Sequence, residues 1–352
     1  MEQQQTGVAM SGGVDSSVAA WLLREKGYPL LGVTMRLFPV CGTSRSEEDA
    51  ARVAAQLGFS HRVLEMEEAF CRQVIDPFAA AYERGETPNP CVLCNRTLKF
   101  GQLLDRVGDL GCADLATGHY AAVAYEKESG RYLLKKARDP EKDQSYFLCL
   151  LRQEQLARVR FPLGEMRKEE IRNLAREAGL VTARRKDSQD ICFIPDGDYA
   201  AFIRRYTGRE YPAGPFLNEA GQMIGVHRGM IGYTVGQRRG LGVSSNQGRL
   251  YVKQVRAGEN AVVLSGDSAL YSRVLLARDI NWIACKELSA PLKAGVRIRS
   301  RHKEQPAVVE QTGEDAVRVT FDTPQRAIAP GQTVVFYDGD IVIGGGVIAA
   351  AE

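Results

Sequence analysis

Ser11-Gly12-Gly13-Val14-Asp15-Ser16-Ser17 follows the apolar run Val8-Ala9-Met10 and leads into a helical pattern that reaches Lys26. A strand, a glycine turn and a helix start in that order make a concave anion site, because successive backbone N–H groups point into the turn. The glycines let the backbone approach a ligand closely. Ser11, Ser16 and Ser17 add hydroxyl donors. Asp15 is the odd member: its carboxylate repels phosphate unless a Mg²⁺ ion lies between them. Without a ligand, the same residues make a glycine turn with a serine-rich helix cap. No Gly-Lys-Ser/Thr follows and no Gly-x-Gly-x-x-Gly is present, so this is neither the common ATPase loop nor the dinucleotide fingerprint.

Outward from the loop, short apolar runs at 30–38, 61–66 and 113–117 alternate with helical patterns at 47–57, 68–82 and 94–107. That alternation predicts parallel crossovers and an α/β sheet covered on both faces. A hairpin arm is expected at 131–136 and a helix at 167–178, stopped by Gly179. Beyond Asp196 glycine and proline dominate up to Gly248. From Leu250 onward, short β patterns with close turns predict a small β-barrel. The expected division is 1–198, 199–268 and 269–352.

The 352 residues suffice for two or three domains, and 44% hydrophobic with 25% charged residues is ordinary globular composition. No run approaches the roughly 20 apolar residues of a membrane span. Met1-Glu2-Gln3-Gln4-Gln5-Thr6 lacks the basic-then-apolar pattern of a signal peptide, so a cytosolic location without a membrane partner is expected. Eight cysteines there are thiols or ligands rather than a disulfide scaffold.

A net charge of +3 does not by itself identify a nucleic-acid partner; clustering decides. Arg297, Arg299, Arg301 and Lys303 occupy every second position of a predicted strand, with Val296, Ile298 and Ser300 turned to the barrel core. Such a row suits a phosphate backbone, and suits a solvated strand face as well. Arg238-Arg239 adds a basic loop, and Arg184-Arg185-Lys186 places positive charge beside Cys192. His61, His227 and His302 are read as structural or surface residues.

Cys91-Val92-Leu93-Cys94 follows Thr87-Pro88-Asn89-Pro90, whose prolines fix the chain before a helix. Cys94 is expected at or near that helix's N-terminus, where the dipole favours a thiolate. Cys192 stands in Lys186-Asp187-Ser188-Gln189-Asp190-Ile191-Cys192-Phe193. Structural zinc would need a remote fourth ligand, since no second cysteine pair exists. Cys41, Cys71, Cys112, Cys149 and Cys285 are single and read mostly as buried small hydrophobes.

The loop 11–17 resembles that of the PP-loop ATP pyrophosphatases, which cleave ATP between the α and β phosphates and adenylate a carbonyl-type oxygen. With Asn89-Pro90, Cys94-Asn95, Thr117-Gly118-His119-Tyr120, Lys142-Asp143-Gln144-Ser145 and Asp187-Ser188 before Ile191-Cys192-Phe193, in this order, the whole chain resembles the bacterial-type tRNA-specific 2-thiouridylases. The resemblance implies a PP-loop domain, a small central tRNA-contacting domain and a C-terminal β-barrel. It implies adenylation of the C2 oxygen of wobble uridine 34, then sulfur transfer. ATP, with Mg²⁺ at Asp15, would be held by Ala9, Met10, Ser11, Gly12, Gly13, Val14, Asp15, Ser16, Ser17, Met35 and Gly118. Cys94 matches the nucleophile and Cys192 the persulfide carrier, the two ending in a catalytic disulfide.

Asn89, Pro90 and Cys91 match the segment touching the target base. His119, Lys142, Asp143, Gln144 and Gln332 match tRNA contacts, to which the basic row adds Arg299 and Ser300. tRNAs of the Lys, Glu and Gln type and a sulfur-donor or relay protein are the implied partners. Cys91 departs from the best-known members, which have aspartate there. Cys91, Cys94 and Cys192 thereby allow a second route, a [4Fe–4S] cluster with one open iron carrying hydrosulfide. The rival within the superfamily is an amidating or lysidine-type ligase, which needs neither Cys94 nor Cys192. A further rival is an RNA-binding protein with a regulatory nucleotide site and no turnover.

Overall fold

Five parallel strands form the first layer: β1 (Thr6–Ala9), β2 (Leu30–Arg36), β3 (Ser60–Glu65), β4 (Asp114–Ala116) and, after a hairpin of β5 (Ala122–Glu126) and β6 (Arg131–Lys135), β7 (Val159–Arg160). Their order is β3-β2-β1-β4-β7. The chain therefore moves outward from β1 through β2 to β3, then returns to the other side of β1 at β4. Open α/β sheets bind ligands at the carboxyl ends of the strands where the order reverses. Residues 10–13, after β1, and Thr117-Gly118, after β4, both lie at that switch point. All of β4 and most of β1 are buried, as expected of strands covered on both faces. The structure, a computed structural model, describes residues 4–37, 44–185, 191–243 and 248–352.

The predicted α/β alternation is present, with shifted ends. The second strand stops at Arg36, and Phe38 lies outside the described residues. The helix expected from 94 begins at Pro90, because Asn89 caps it by accepting from Val92 N (3.4 Å) and proline suits the first helical position. It continues to Asp109 and is π-helical over Cys94–Gln102.

After the helix Tyr199–Thr207, capped by Asp198, β8 (Gly214–Leu217), β9 (Met223–His227), β10 (Tyr251–Arg256) and β11 (Ala261–Ser265) form a separate sheet in the order β10-β11-β8-β9. Phe216, Tyr233, Val252 and Leu264 fill its own small core. Thus the first two β patterns after Leu250 belong to this central sheet. The barrel proper comprises β12 (Tyr271–Trp282), β13 (Leu292–Arg297), β14 (Gln305–Gly313), β15 (Ala316–Arg326), β16 (Thr333–Asp338) and β17 (Ile341–Ala351). It is antiparallel and closed by β12 pairing with β17. Closure leaves no free edge in the ring.

The first domain and the barrel are joined by backbone. Strand β6 pairs with β17 at Leu134–Val342 and Lys135–Ile341, so the hairpin extends the barrel sheet. Farther along, Thr87 N donates to Pro330 O (2.7 Å) and Gln332 Nε2 donates to Thr87 O (2.9 Å). The barrel thereby holds the segment that leads into Asn89-Pro90.

Candidate active site

The loop after β1 turns at Gly12, whose φ of +68° lies in the left-handed region that favours glycine. Helix Val14–Glu25 starts behind it with Gly13 as its cap. Ser16 Oγ donates to Gly13 O (3.1 Å) and Ser17 Oγ donates to the same carbonyl (2.8 Å), while Ser11 N donates to Ser16 Oγ (3.3 Å). The loop is closed on itself, with its helix N-terminus at the crevice. Gly118 supports it from β4: a Cβ there would stand 2.7 Å from Asp15 C and from Ser16 N. Met35 is half-buried near the end of β2, two residues beyond the Val33 that pairs with Ala9.

Asp15 has partners that local sequence does not reveal. Lys168 Nζ donates to Asp15 Oδ1 (2.7 Å) and Oδ2 (2.8 Å), and Tyr120 OH donates to Oδ1 (2.7 Å). Lys168 is itself buried, and its backbone N–H is held by Asp139 (2.9 Å). Arg185 grips the other flank, donating to Gly12 O (2.8 Å), to Asp49 (2.6 Å) and to Ser46 Oγ (3.1 Å). Of the basic run expected beside Cys192, Arg185 is thus paired at the loop 11–17. Lys186, Asp187, Ser188, Gln189 and Asp190 lie outside the described residues, as does Cys41.

The three cysteines lie within electrostatic reach of one another. Cys91 and Cys192 are exposed, Cys94 is buried, and Cys192 acts electrostatically on both others. Burial pushes the Cys94 thiol up to about 12; the ammonium of Lys99 opposes this, and Cys192 and Cys91 add to it. Cys91 is exposed as a residue, yet enough protein surrounds its thiol for burial to raise it too. This corrects the expectation of a dipole-stabilised Cys94 thiolate. With the helix starting at Pro90, Cys94 lies a turn inside, and burial outweighs the dipole.

Cys192 is positioned by its neighbour. The Phe193 ring is buried against Phe70 (5.6 Å), Phe78 (5.3 Å) and Phe202 (5.0 Å). Of the remaining thiols described, Cys112 and Cys149 are buried, whereas Cys71 and Cys285 are only half-buried.

His119 follows Gly118 directly. Its Nδ1 lies 2.7 Å from Thr117 Oγ1, and its ring packs against Phe100 (5.5 Å) and Phe161 (6.0 Å). Burial, with Lys99 nearby, holds its pKa well below the ordinary range, so the ring is neutral. The Asp143 carboxylate is turned inward: it accepts from Ala137 N (3.2 Å), Ser145 N (3.1 Å), Ser145 Oγ (2.9 Å) and Arg297 Nη1 (3.3 Å). Gln144 is tied to Tyr120 by Gln144 N donating to Tyr120 O (2.8 Å) and Gln144 Oε1 accepting from Tyr120 N (2.9 Å). Lys142 is half-buried beside them.

The basic row needs correction. Strand β13 ends at Arg297, and that side chain faces inward onto Asp143, between the rings of Tyr146 and Tyr337. Arg299, Arg301 and Lys303 are exposed in the following loop, with Ser300 half-buried between them.

Models of three protein families match consecutive stretches of the chain. The tRNA methyl transferase HUP domain matches residues 4–196, the tRNA methyl transferase PRC-barrel domain 200–266 and the aminomethyltransferase beta-barrel domain 272–348. The tRNA-specific 2-thiouridylase MnmA of Acetivibrio thermocellus is 44% identical over 99% of this chain and 100% of its own length. The corresponding enzyme of Carboxydothermus hydrogenoformans is 46% identical over 97% of this chain and 96% of its own. This chain belongs to the tRNA-specific 2-thiouridylase family. A solved U34-tRNA thiolase NcsA from Methanococcus maripaludis with its [4Fe-4S] cluster is 19% identical, covers 58% of this chain and 68% of that one, and has a TM-score of 0.36, too distant to bear on the site.

For a member of the 2-thiouridylase family, the structure adds Lys168 and Lys99 to the residues named from sequence, and gives Tyr120 and Arg185 their partners at the loop 11–17. Among the described residues it does not preassemble a metal site. Among the described residues no three His, Cys, Asp or Glu side chains stand close enough to share a metal ion, Cys91, Cys94 and Cys192 included. Asp15 faces an ammonium on both carboxylate oxygens.

Proposed function

We propose that this chain makes 2-thiouridine in tRNA, with the crevice between β1 and β4 holding ATP and the helix from Pro90 presenting the thiols to the activated base. One observation carries this reading. Gly118 touches the phosphate loop at Asp15 and Ser16, and the next residue, His119, feels Lys99 of the cysteine helix. Two consecutive residues thus connect nucleotide and sulfur chemistry.

In the reaction we assign, the loop holds the ATP phosphates through its backbone N–H groups and hydroxyls. The O2 of wobble uridine attacks the α-phosphate and pyrophosphate leaves. Adenylation is needed because a carbonyl oxygen of the base is a poor leaving group. The base must leave its stack to reach the site, and water must be kept from the activated C2. Asn89, Pro90 and Cys91 would face the base, with the barrel holding Thr87 behind them. His119, Lys142, Gln144, Arg299, Ser300 and Gln332 would face tRNA, whereas Asp143 would shape the turn that presents its neighbours. Mg²⁺ would enter with ATP and meet Asp15 only if Lys168 yields it.

For sulfur delivery, the thiol route suits the residues better than a cluster, because the three cysteines are neighbours without forming a metal-sharing set. Cys94 attacks Sγ of an anionic Cys192 persulfide, and its thiol proton passes to the departing terminal sulfur. A Cys94–Cys192 disulfide forms and the terminal sulfur leaves as hydrosulfide. Hydrosulfide adds to C2, AMP leaves, and an external thiol reduces the disulfide. A separate sulfur-donor protein must load Cys192. We assign residues 1–198 to catalysis, 199–268 to tRNA contact and 269–352 to the barrel, and place the enzyme in the cytosol with its tRNA. Among the described residues no helix is long and apolar enough to cross a membrane.

The test is tRNA-dependent pyrophosphate release measured beside thiolation. Cys94→Ser and Cys192→Ser should release pyrophosphate and yield no thiolated tRNA; retained thiolation rejects the cysteine assignment. Anaerobic purification with iron and sulfide assays completes it: a stoichiometric cluster required for activity rejects the thiol route.

A further inference from the structure

Lys99 lies five positions after Cys94. At 100° per residue an ordinary α-helix would turn it roughly 140° away from the thiol. The stretch Cys94–Gln102 is π-helical instead, and its i→i+5 ladder brings residues five apart onto one face. Lys99 accordingly acts electrostatically on Cys94, Cys91 and His119. Other cations at the site have partners: Lys168 holds Asp15, Arg185 holds Asp49 and Gly12 O, and Arg297 holds Asp143. Lys99 is half-buried, and among the described residues it makes no hydrogen bond or ion pair. The groups it acts on are two thiols that burial keeps protonated and a neutral imidazole, none of them an anion. An ammonium without a fixed counter-charge is available to an arriving anion, and charge-assisted contacts of this kind are among the stronger ones.

The anion this site must handle is sulfur. We infer that Lys99 is the positioning cation for the transferred sulfur: it holds the anionic persulfide or hydrosulfide between Cys192, Cys94 and the activated C2. This deepens the thiolation reading and rests on it. Lys99 forms and breaks no covalent bond. Its charge offsets the negative charge on sulfur from the moment Cys94 displaces hydrosulfide until that sulfur adds to C2, in a setting where burial otherwise opposes every anion. The role serves hydrosulfide equally well whether a cysteine or an external donor supplies it.

The experiment compares Lys99→Met and Lys99→Arg with the parent enzyme, anaerobically, with tRNA, ATP and sodium sulfide as the sulfur donor. Pyrophosphate release reports adenylation and nucleoside mass spectrometry reports thiolation. The Met variant should keep pyrophosphate release and the KM for ATP close to the parent values. Its thiolation should fall about 100-fold, the order that removing one group opposing a developing anion costs, and its KM for sulfide should rise. The Arg variant, which keeps the charge, should recover most of the loss. Parent-level thiolation by the Met variant overturns the inference. Equal loss of pyrophosphate release and thiolation in both variants also overturns it, because Lys99 would then serve the nucleotide or the fold. Absence of thiolation in the parent enzyme would instead reject the underlying function.

Discussion

Replacing Gly118 by alanine tests whether the phosphate loop is held by the strand end beside it. The added Cβ would stand 2.7 Å from Asp15 C, 2.7 Å from Ser16 N and 3.1 Å from Asp15 Cβ, whereas ordinary contact begins at 3.4 Å. The shortfall is 0.7 Å, and two of the three obstructing atoms are backbone, which cannot rotate aside. The first turn of helix Val14–Glu25 must move, and with it the N–H groups aimed at the phosphates. Overpacking of this kind costs about 1–3 kcal/mol. In a domain of this size that lowers the unfolding midpoint by roughly 2–4 °C per kcal/mol. Misplacing a reacting group by about 1 Å costs on the order of 100-fold in rate, so adenylation should fall by about 10- to 100-fold. The assay is tRNA-dependent pyrophosphate release against ATP concentration, with thermal unfolding in parallel. A Gly118→Ala enzyme with parental turnover, parental KM for ATP and an unchanged midpoint would refute the proposed seating of the loop.

Other outcomes follow from the same contacts. Lys168→Met leaves the Asp15 carboxylate without its ammonium; it should lose about 2 kcal/mol of stability and most pyrophosphate release, and parental values in both would show the pair to be incidental. Phe193→Ala should cost about 3–5 kcal/mol by emptying the aromatic pocket, and should depress thiolation more than adenylation because Cys192 loses its anchor; equal losses would contradict the anchoring role. All four histidines have pKa values lowered by burial. Folding therefore disfavours their protonation while the unfolded chain takes up protons below about pH 6.5, so stability is full above that pH and falls below it. Urea unfolding at pH 7.5 and 5.5 should show this, with His119 contributing up to about 1.4 kcal/mol per pH unit and the less enclosed histidines less; equal stability at the two values would contradict the burial. Cys94, pushed up to about 12, should alkylate ever faster with rising pH and show no plateau by pH 9; a plateau near pH 7 would restore the thiolate expectation.

What could be read from sequence was what is local. The turn at Gly12-Gly13, the alternation of strand and helix, and the cysteine spacing each lie within a few residues, so their geometry is set by neighbouring chain. Partners brought by topology were not readable. Lys168 reaches Asp15 across 153 positions, and in Arg167-Lys168-Glu169-Glu170 it looks like one charge on a solvated helix start. Arg297 reads as part of a basic strand face until Asp143, 154 positions earlier, captures it. Hairpin β5–β6 joins the barrel only because β17, the last strand, lies beside β6. Lys99 was hidden differently: periodicity at 3.6 residues per turn places it away from Cys94, and only the π-helical stretch reverses that. The thiolate expectation at Cys94 failed because burial is a tertiary quantity.

The most direct measurement is mass spectrometry of tRNA nucleosides after incubation with the purified enzyme, ATP and a sulfur source. The predicted result is ATP-dependent 2-thiouridine at the wobble position, lost in Cys94→Ser. No sulfur-containing uridine, or a methylated or amidated base in its place, would contradict the account.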